Sequence, residues 1–221
     1  TNWNDQAKSV TVYDEDLDAD VKVFMNGIDS RHMGVELQAN AQPLPFAKFR
    51  ATFSKGDWKY LNDIENARYE LPGGGQDTLS IYVKDLKVGG QPQTQLVFGT
   101  TLLPLEGLKA DLSYKYYMDF YSDWDPFSRQ DPNDDTESWQ VPDYGVANLH
   151  MFYKLPVLVE KMDVEVFAHI FNLFDEVYVQ DATDNSQYNA WWGNGVDHKA
   201  DDAEVFFGLP RRYNMGVSVK F

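Results

Sequence analysis

Apolar residues alternate strictly with polar or small ones near the C-terminus, and few folds accommodate this pattern. After Arg211, every second residue is apolar: Tyr213, Met215, Val217, Val219 and Phe221. The segment from Leu108 to Tyr121 repeats the pattern. Because successive side chains of a β-strand point to opposite faces, this period of two predicts two long strands, each with one apolar and one polar face.

Five further segments alternate less regularly: His32 to Gln42, Ala47 to Tyr60, Thr94 to Pro104, Tyr144 to Leu155 and Met162 to Asn172. The first is expected to continue back toward Asp20, with an irregularity at Asn26-Gly27. Together with a frayed opening segment, the pattern predicts about eight antiparallel strands in an all-β fold.

Short and long connections alternate between these predicted strands. Residues 43–46, 104–107 and 156–161 form the short connections, whereas residues 62–93, 122–142 and 173–210 form the long ones. Transmembrane β-barrels have short turns at the periplasmic rim and long loops at the extracellular rim. Most of the segments also reach the roughly nine to eleven residues that a tilted strand needs to cross the hydrocarbon layer. Both features favour an antiparallel transmembrane β-barrel over a sandwich.

The composition agrees with a barrel and excludes several other classes of protein. Aromatic residues make up 15% of the chain, with 13 Tyr and 6 Trp, which is typical of the aromatic girdles at membrane interfaces. No apolar run approaches the roughly 18 residues of a spanning helix. The mean hydropathy of -0.50 is compatible with strands that have one apolar and one polar face. A formal net charge of -16 opposes nucleic-acid binding. The absence of cysteine excludes disulfides, thiol catalysis and Cys-ligated zinc.

Four short motifs occur in order between Met33 and the C-terminus. They are MGVEL at residues 33–37, DLKVGGQP at 85–92, VFAHIFNLFD at 166–175 and GLPRRY at 208–213. Together they resemble the barrel of TonB-dependent receptors, in the form common in Bacteroidota. The second resembles that family's loop return into the membrane, the third its penultimate strand, and the fourth its entry to the last strand.

The resemblance implies a larger protein than this chain. Members of the family carry a plug domain with a TonB box and a barrel of about 22 strands, so residues 1–221 are expected to be the C-terminal part of such a barrel. The implied activity is energy-coupled import across the outer membrane of a nutrient such as an iron chelate, haem, cobalamin, a glycan or a peptide. The implied partners are outer-membrane lipid and lipopolysaccharide, the TonB complex acting through the plug, the barrel-assembly machinery and a surface lipoprotein. The last strand, ending at Phe221, is expected to be the membrane-insertion signal read by that machinery.

Candidate functional residues lie on the polar faces of the strands and in the long loops. The polar-face residues could line a ligand path or pack against a plug: His32, Glu36, Lys48, Arg50, His150, Glu165 and His169. Loop aromatics could stack on a ligand ring or hold the loops together: Trp124, Trp139, Tyr188, Trp191 and Trp192. Carboxylates of Asp131, Asp134 and Asp135 are candidates for structural Ca²⁺, although the spacing is not that of an EF-hand.

Two other classes of protein remain as alternatives. One is a self-contained eight-stranded outer-membrane barrel with a structural or adhesive role, which would close by pairing its first and last strands. The other is a soluble carbohydrate-binding β-sandwich that uses its Trp-rich loops. No nucleophile motif accompanies the His and Asp residues, so enzymatic activity is not expected.

Overall fold

The protein has an all-β fold dominated by one large antiparallel sheet. The computed structural model describes residues 1–14, 17–156, 162–184, 197–201 and 203–221. The strands in these ranges are β1 (Asn2–Asp14), β2 (Ala19–Leu44), β3 (Ala47–Tyr60), β4 (Ile64–Glu70), β5 (Gln76–Ile81), β6 (Pro92–Leu105), β7 (Leu108–Tyr121), β8 (Asp123–Trp124), β9 (Gln140–Val141), β10 (Tyr144–Lys154), β11 (Asp163–Phe171), β12 (Val179–Asp184), β13 (Ala203–Phe207) and β14 (Arg212–Lys220).

Seven strands form a continuous wall in the order β14-β11-β10-β7-β6-β3-β2. Each wall strand follows its neighbour along the chain as an antiparallel meander, and β3 and β7 begin and end at the residues that the alternation predicts. Strand β2 is longer than the predicted segment and does extend back to Ala19. Its first half pairs with β1, with Gly27 at a positive φ of 73° and register shifts near Gln6 on the partner strand.

The pairing register brings the apolar positions of the wall strands onto one face. One cross-strand row runs through all seven strands: Ala41, Phe49, Thr100, Leu112, Leu149, Ile170 and Tyr213. The next row is apolar throughout: Ala47, Leu102, Ala110, Met151, Ala168 and Met215. Large side chains on this apolar face stay accessible, for example Leu37 (62% exposed), Phe98 (51%) and Met215 (76%).

A hydrophobic core lies beyond one end of the wall, beside the long loops. Strand β1, the first half of β2 and the β4–β5 hairpin enclose it, and its fully buried members include Val23, Ile64 and Ile81. The sequence pattern treats residues 62–93 as a single long loop. The structure instead contains the β4–β5 hairpin there, with β4 paired to β2. We call this unit the loop-end core.

Other loop segments form one small sheet and add a short strand to the large one. Strands β13, β12 and β8 make a three-stranded sheet, and β9 pairs with the end of β7. A short 3-10 helix at Pro126–Arg129 is capped by the Asp125 side chain, which accepts a hydrogen bond from the Phe127 N–H at 2.8 Å. Among the described residues, no helix has the length and apolarity to span a membrane.

Candidate functional site

All seven predicted polar-face residues occupy the same face of the sheet. The register pairs Asn40 with Arg50, Thr101 with Asp111, and His150 with both Asp111 and His169. Residues two apart along a strand share a face. The register therefore assigns a common face to His32, Glu36, Lys48, Arg50, His150, Glu165 and His169, opposite the apolar face.

A groove of about 680 Å³ crosses this polar face between β2 and β10. Its charged lining residues are Lys48, Arg50 and Asp111, with His150 at its edge. The Asp111 carboxylate accepts a hydrogen bond from Thr101 Oγ1 at 2.6 Å and pairs with Lys109 Nζ at 2.7 Å. Asp111 is therefore neutralised within the sheet, whereas Lys48 and Arg50 leave two positive charges facing the groove.

Two histidines face each other across β10 and β11 beside this groove. The Nδ1 atoms of His150 and His169 are 2.9 Å apart, so one ring donates a hydrogen bond to the other. Phe152, Phe167 and Phe171 pack around the pair at ring-centroid distances between 5.2 and 6.2 Å. These aromatics lie on the polar face, so the wall is less strictly two-sided than the sequence pattern indicates.

A second groove of about 360 Å³ lies on the same face, nearer the loops. The rings of Tyr117, Tyr144 and Tyr178 pack in a row along one side: Tyr117 and Tyr144 are tilted with centroids 5.0 Å apart, and Tyr144 and Tyr178 are stacked with centroids 4.6 Å apart. Lys115 and Arg212 also line it, and the Arg212 guanidinium sits 5.4 Å from the Phe171 ring centroid. Sequence reasoning did not single out these residues, although the positions of Lys115 and Arg212 in the alternation place both on the polar face.

His32 is part of an aromatic cluster at the border between the wall and the loop-end core. Its ring lies between Trp3 and Trp58, with centroid distances of 5.7 and 5.3 Å. Its Nε2 is 3.1 Å from the Ser30 hydroxyl, which also accepts a hydrogen bond from Gln6. His32 is thus held by its neighbours, and Trp3 remains 54% exposed.

A buried ionic cluster joins the two long loops on either side of β10 and β11. His198 lies between two carboxylates, with Nδ1 2.5 Å from Asp184 Oδ2 and Nε2 2.5 Å from Asp134 Oδ2. Arg129, whose side chain is completely buried, lies 3.5 Å from each of the same two oxygens. It also donates hydrogen bonds to the Thr136 carbonyl and to Ser138 Oγ. We call His198, Asp134, Asp184 and Arg129 the loop clamp.

Burial and pairing act in opposite directions on the acid–base groups of the clamp. Burial alone would lower the pKa of His198, but its hydrogen bonds to Asp184 and Asp134 prevail and raise that pKa above the ordinary value. Burial likewise lowers the pKa of the Arg129 guanidinium, partly offset by the same two carboxylates. Next to the clamp, burial raises the pKa of Asp125 to about 7.

The predicted loop aromatics have different environments. Trp124 is only 2% exposed and packs edge-on against Tyr60 in the loop-end core, where its ring is inaccessible to a ligand. Trp139 is partly buried and packs against a small cluster around Phe120 and Val141. The other three, Tyr188, Trp191 and Trp192, lie outside the described residues.

The three carboxylates predicted as calcium ligands have different environments. Asp131 accepts the backbone N–H of Asn133 at 2.9 Å, Asp134 belongs to the loop clamp, and Asp135 is exposed. Within the described ranges, no three His, Cys, Asp or Glu side chains are grouped so that they could hold a metal ion.

Two of the short motifs meet at the start of the last strand. The buried Asn172 side chain donates to the carbonyls of Glu176 and Leu209 at 2.9 and 3.2 Å. Asp175 accepts the Arg211 N–H at 2.8 Å. Both Asn172 and Asp175 have a positive φ, a conformation that Asn and Asp tolerate better than most residues. The NLFD segment therefore fixes the point at which the chain re-enters the wall.

The residues predicted to form an insertion signal line the apolar face of β14 and end in an exposed ring. Their exposed fractions are Tyr213 63%, Met215 76%, Val217 61%, Val219 43% and Phe221 95%.

The polar face therefore offers cationic and aromatic groups for non-covalent binding, and the loop clamp organises the loops beside it. Comparison of the sequence with protein-family models and with curated proteins gave no match.

Proposed function

We propose that this chain forms part of the wall of an outer-membrane β-barrel and that the barrel is a TonB-dependent transporter of a large or scarce nutrient. The observation that carries the proposal is the apolar face, which is in register across seven strands and exposes Leu37, Phe98 and Met215. Soluble monomers rarely expose contiguous apolar patches beyond a few hundred Å². Acyl chains are a solvent in which such a face is stable.

Strand length and loop placement support the same proposal. The wall strands β3, β6, β7, β10, β11 and β14 contain 14, 14, 14, 11, 9 and 9 residues, so each reaches or exceeds the minimum of roughly nine residues for a tilted crossing. The β2–β3 and β6–β7 turns are two residues long, whereas the connections at the opposite end carry the loop-end core and the loop clamp. In the proposed orientation, the short turns face the periplasm and the loops face outward.

The sheet edges favour a larger barrel over the self-contained eight-stranded alternative. Closure of that small barrel requires the first strand to pair with the last. In the described part of the sheet, β1 pairs with β2 and β14 with β11, at opposite sides of the wall. Further strands would then complete the barrel, and the polar face would line its interior. Import would be driven by TonB through a plug, as the resemblance implies.

Site-directed spin labelling tests the membrane wall directly. The chain has no cysteine, so each single-cysteine variant carries one label. In lipid vesicles, labels at Leu37 and Val217 should collide readily with oxygen, which is enriched in the bilayer. Labels at the adjacent Gln38 and Ser218 should collide preferentially with a water-soluble nickel chelate. Equal nickel accessibility at both members of each pair, with a chain that stays soluble without detergent, would instead support the soluble sandwich.

The import step can be tested genetically without knowledge of the substrate. If the protein depends on TonB, deletion of its gene and deletion of the TonB system should give non-additive growth defects on iron-, cobalamin- or glycan-limited media. A defect that becomes more severe in the double deletion on every such medium would contradict energy coupling and favour a structural or adhesive role.

A further inference from the structure

The two grooves of the polar face have a charge opposite to that of the molecule as a whole. Lys48 and Arg50 line the larger groove, and Lys115 and Arg212 line the smaller one. Among the described residues that line the grooves, the one carboxylate is that of Asp111, which is already paired with Lys109 at 2.7 Å. Within the ranges that the structure describes, the four groove cations form no ion pair within 4 Å.

Positive charge is concentrated here although the chain carries a formal net charge of -16. Acidic residues accumulate in the loops: residues 122–143 contain seven Asp or Glu and a single Arg. That Arg is Arg129 of the loop clamp, where two carboxylates neutralise it. The wall grooves thus retain unpaired cations, while the loops hold an excess of acid.

A glycine on the neighbouring strand leaves room for the Arg50 side chain. A Cβ added at Gly99 would lie 3.3 Å from Arg50 Nη2 and 3.5 Å from Nε. The guanidinium therefore lies over β6, close enough to Gly99 that a side chain there would be in tight contact with it. This places a planar donor group at the floor of the groove, beside Lys48, Thr101 and Ser113.

We propose that the polar face binds a small anionic ligand through carboxylate or phosphate groups, with Arg50 and Lys48 as the principal contacts. Guanidinium groups bind both anions through two parallel hydrogen bonds. The larger groove, at about 680 Å³, has the volume of a typical small-molecule site. Lys115 and Arg212, nearer the loops, form a second cationic binding site on the same face. This inference rests on the proposed function and gives it a substrate class, because a barrel interior would place both grooves along the import path.

Calorimetry on the full chain in lipid nanodiscs tests the inference with citrate, inorganic phosphate and uncharged glucose as probes. Citrate or phosphate should bind and glucose should not, and added NaCl should weaken the binding. Arg50→Gln should raise the Kd about tenfold, equivalent to about 1.4 kcal/mol. Lys220→Gln, which removes the same charge from the rim of the same face, should change the Kd by less than about twofold.

A third variant separates a built site from general charge attraction. Gly99→Val retains every charge but adds side-chain atoms in tight contact with the Arg50 guanidinium and displaces it, so it should weaken anion binding about as strongly as Arg50→Gln. Equal effects of Arg50→Gln and Lys220→Gln, with none from Gly99→Val, would overturn the inference, as would the absence of binding by either anion. Circular dichroism of each variant confirms that the sheet is retained. The spin labels report lipid contact whether or not a ligand binds. If anion binding is absent but the labels contact lipid, only this inference is wrong. If the labels do not contact lipid, the proposed function is wrong.

Discussion

At the scale of single residues, protonation of His198 decides the charge balance of the loop clamp. With an imidazolium at His198, two cations face the carboxylates of Asp134 and Asp184, and both ring nitrogens have a hydrogen to donate. A neutral imidazole has one N–H, so it would direct a lone pair at one carboxylate. A buried charge that loses its partner is costly. The clamp therefore favours the protonated ring.

The direction of the pKa shift predicts how the loops respond to pH. Because the folded state raises the pKa of His198 above the unfolded value of about 6.5, its stabilising contribution is complete below that pH and is lost as the pH rises through the folded pKa. Hydrogen exchange of loop amides should therefore accelerate with alkaline pH beyond its intrinsic dependence. His198→Gln should abolish this dependence and cost about 3–5 kcal/mol of local stability at pH 6.

The neighbouring Lys199 supplies the control for that experiment. Its ammonium pairs with Asp197 at the surface, where ion pairs contribute little. Lys199→Gln should change local stability by less than about 1 kcal/mol and leave the pH profile intact. If both substitutions have the same small effect, the clamp does not hold the loops.

Asp125 supplies a second, separable pH effect. Burial raises its pKa to about 7, so the folded state resists ionisation and stability falls as the pH rises between about 4 and 7. Asp125→Asn keeps an oxygen to accept the Phe127 N–H but cannot ionise. The variant should be more stable than the parent at pH 8, by roughly 2–4 kcal/mol, and equally stable at pH 4. Thermal unfolding at the two pH values checks this, and a loss of stability at both would show that Asp125 acts only as a cap.

At the scale of secondary-structure elements, the two faces of β14 should respond differently to the same new charge. Met215 lies on the apolar face and is 76% exposed, and Asn214 is its neighbour on the polar face. In a bilayer, Met215→Arg should lose about 2–4 kcal/mol of folding free energy, whereas Asn214→Arg should change it by less than about 0.5 kcal/mol. Urea unfolding in lipid vesicles measures both. Equal tolerance of the two arginines would mean that this face meets water.

Alternation along the chain was sufficient to predict the wall strands but not the elements of the loops. Segments such as Leu108 to Tyr121 alternate for many residues. Because side chains of a pleated strand point to opposite faces in turn, this pattern indicates a β-strand. The β4–β5 hairpin, at residues 64–81, was missed because Asn66 has a positive φ and shifts the register, which breaks the period of two. Strand β1 contains a similar irregularity near Asp5, and the sequence therefore indicated only a frayed segment.

The alternation also predicted the part of the candidate site that lies on the wall strands. The alternation places Lys48, Arg50 and His150 on one face, and the register aligns them. The loop clamp could not be found in this way, because Asp134 and His198 are 64 residues apart and meet only after both loops fold. Contacts that depend on glycine are equally hidden: the Phe167 ring covers Gly216 on the adjacent strand, which no local pattern reports.

At the scale of the whole molecule, two regions differ in where they place their apolar side chains. The loop-end core buries Val23, Ile64 and Leu79 within the protein, whereas the wall exposes its apolar side chains. Leu79 is 6% exposed and Leu37 is 62% exposed. Leu79→Ala should therefore cost about 2–5 kcal/mol, and Leu37→Ala less than about 1 kcal/mol, when unfolding is followed in lipid vesicles. Equal losses would indicate that Leu37 is packed against protein in the assembled state.

Strand β2 belongs to both regions, and its 26 residues run without interruption from the wall to the loop-end core. Its second half pairs with β3 and its first half with β1 and β4. If acyl chains surround the stretch from Met33 to Ala41, the first half of the strand extends beyond the bilayer, and the strand fixes only the total length. Bilayer thickness would then set the height of the loops above the membrane, and a thicker membrane would bring them closer to the lipid headgroups.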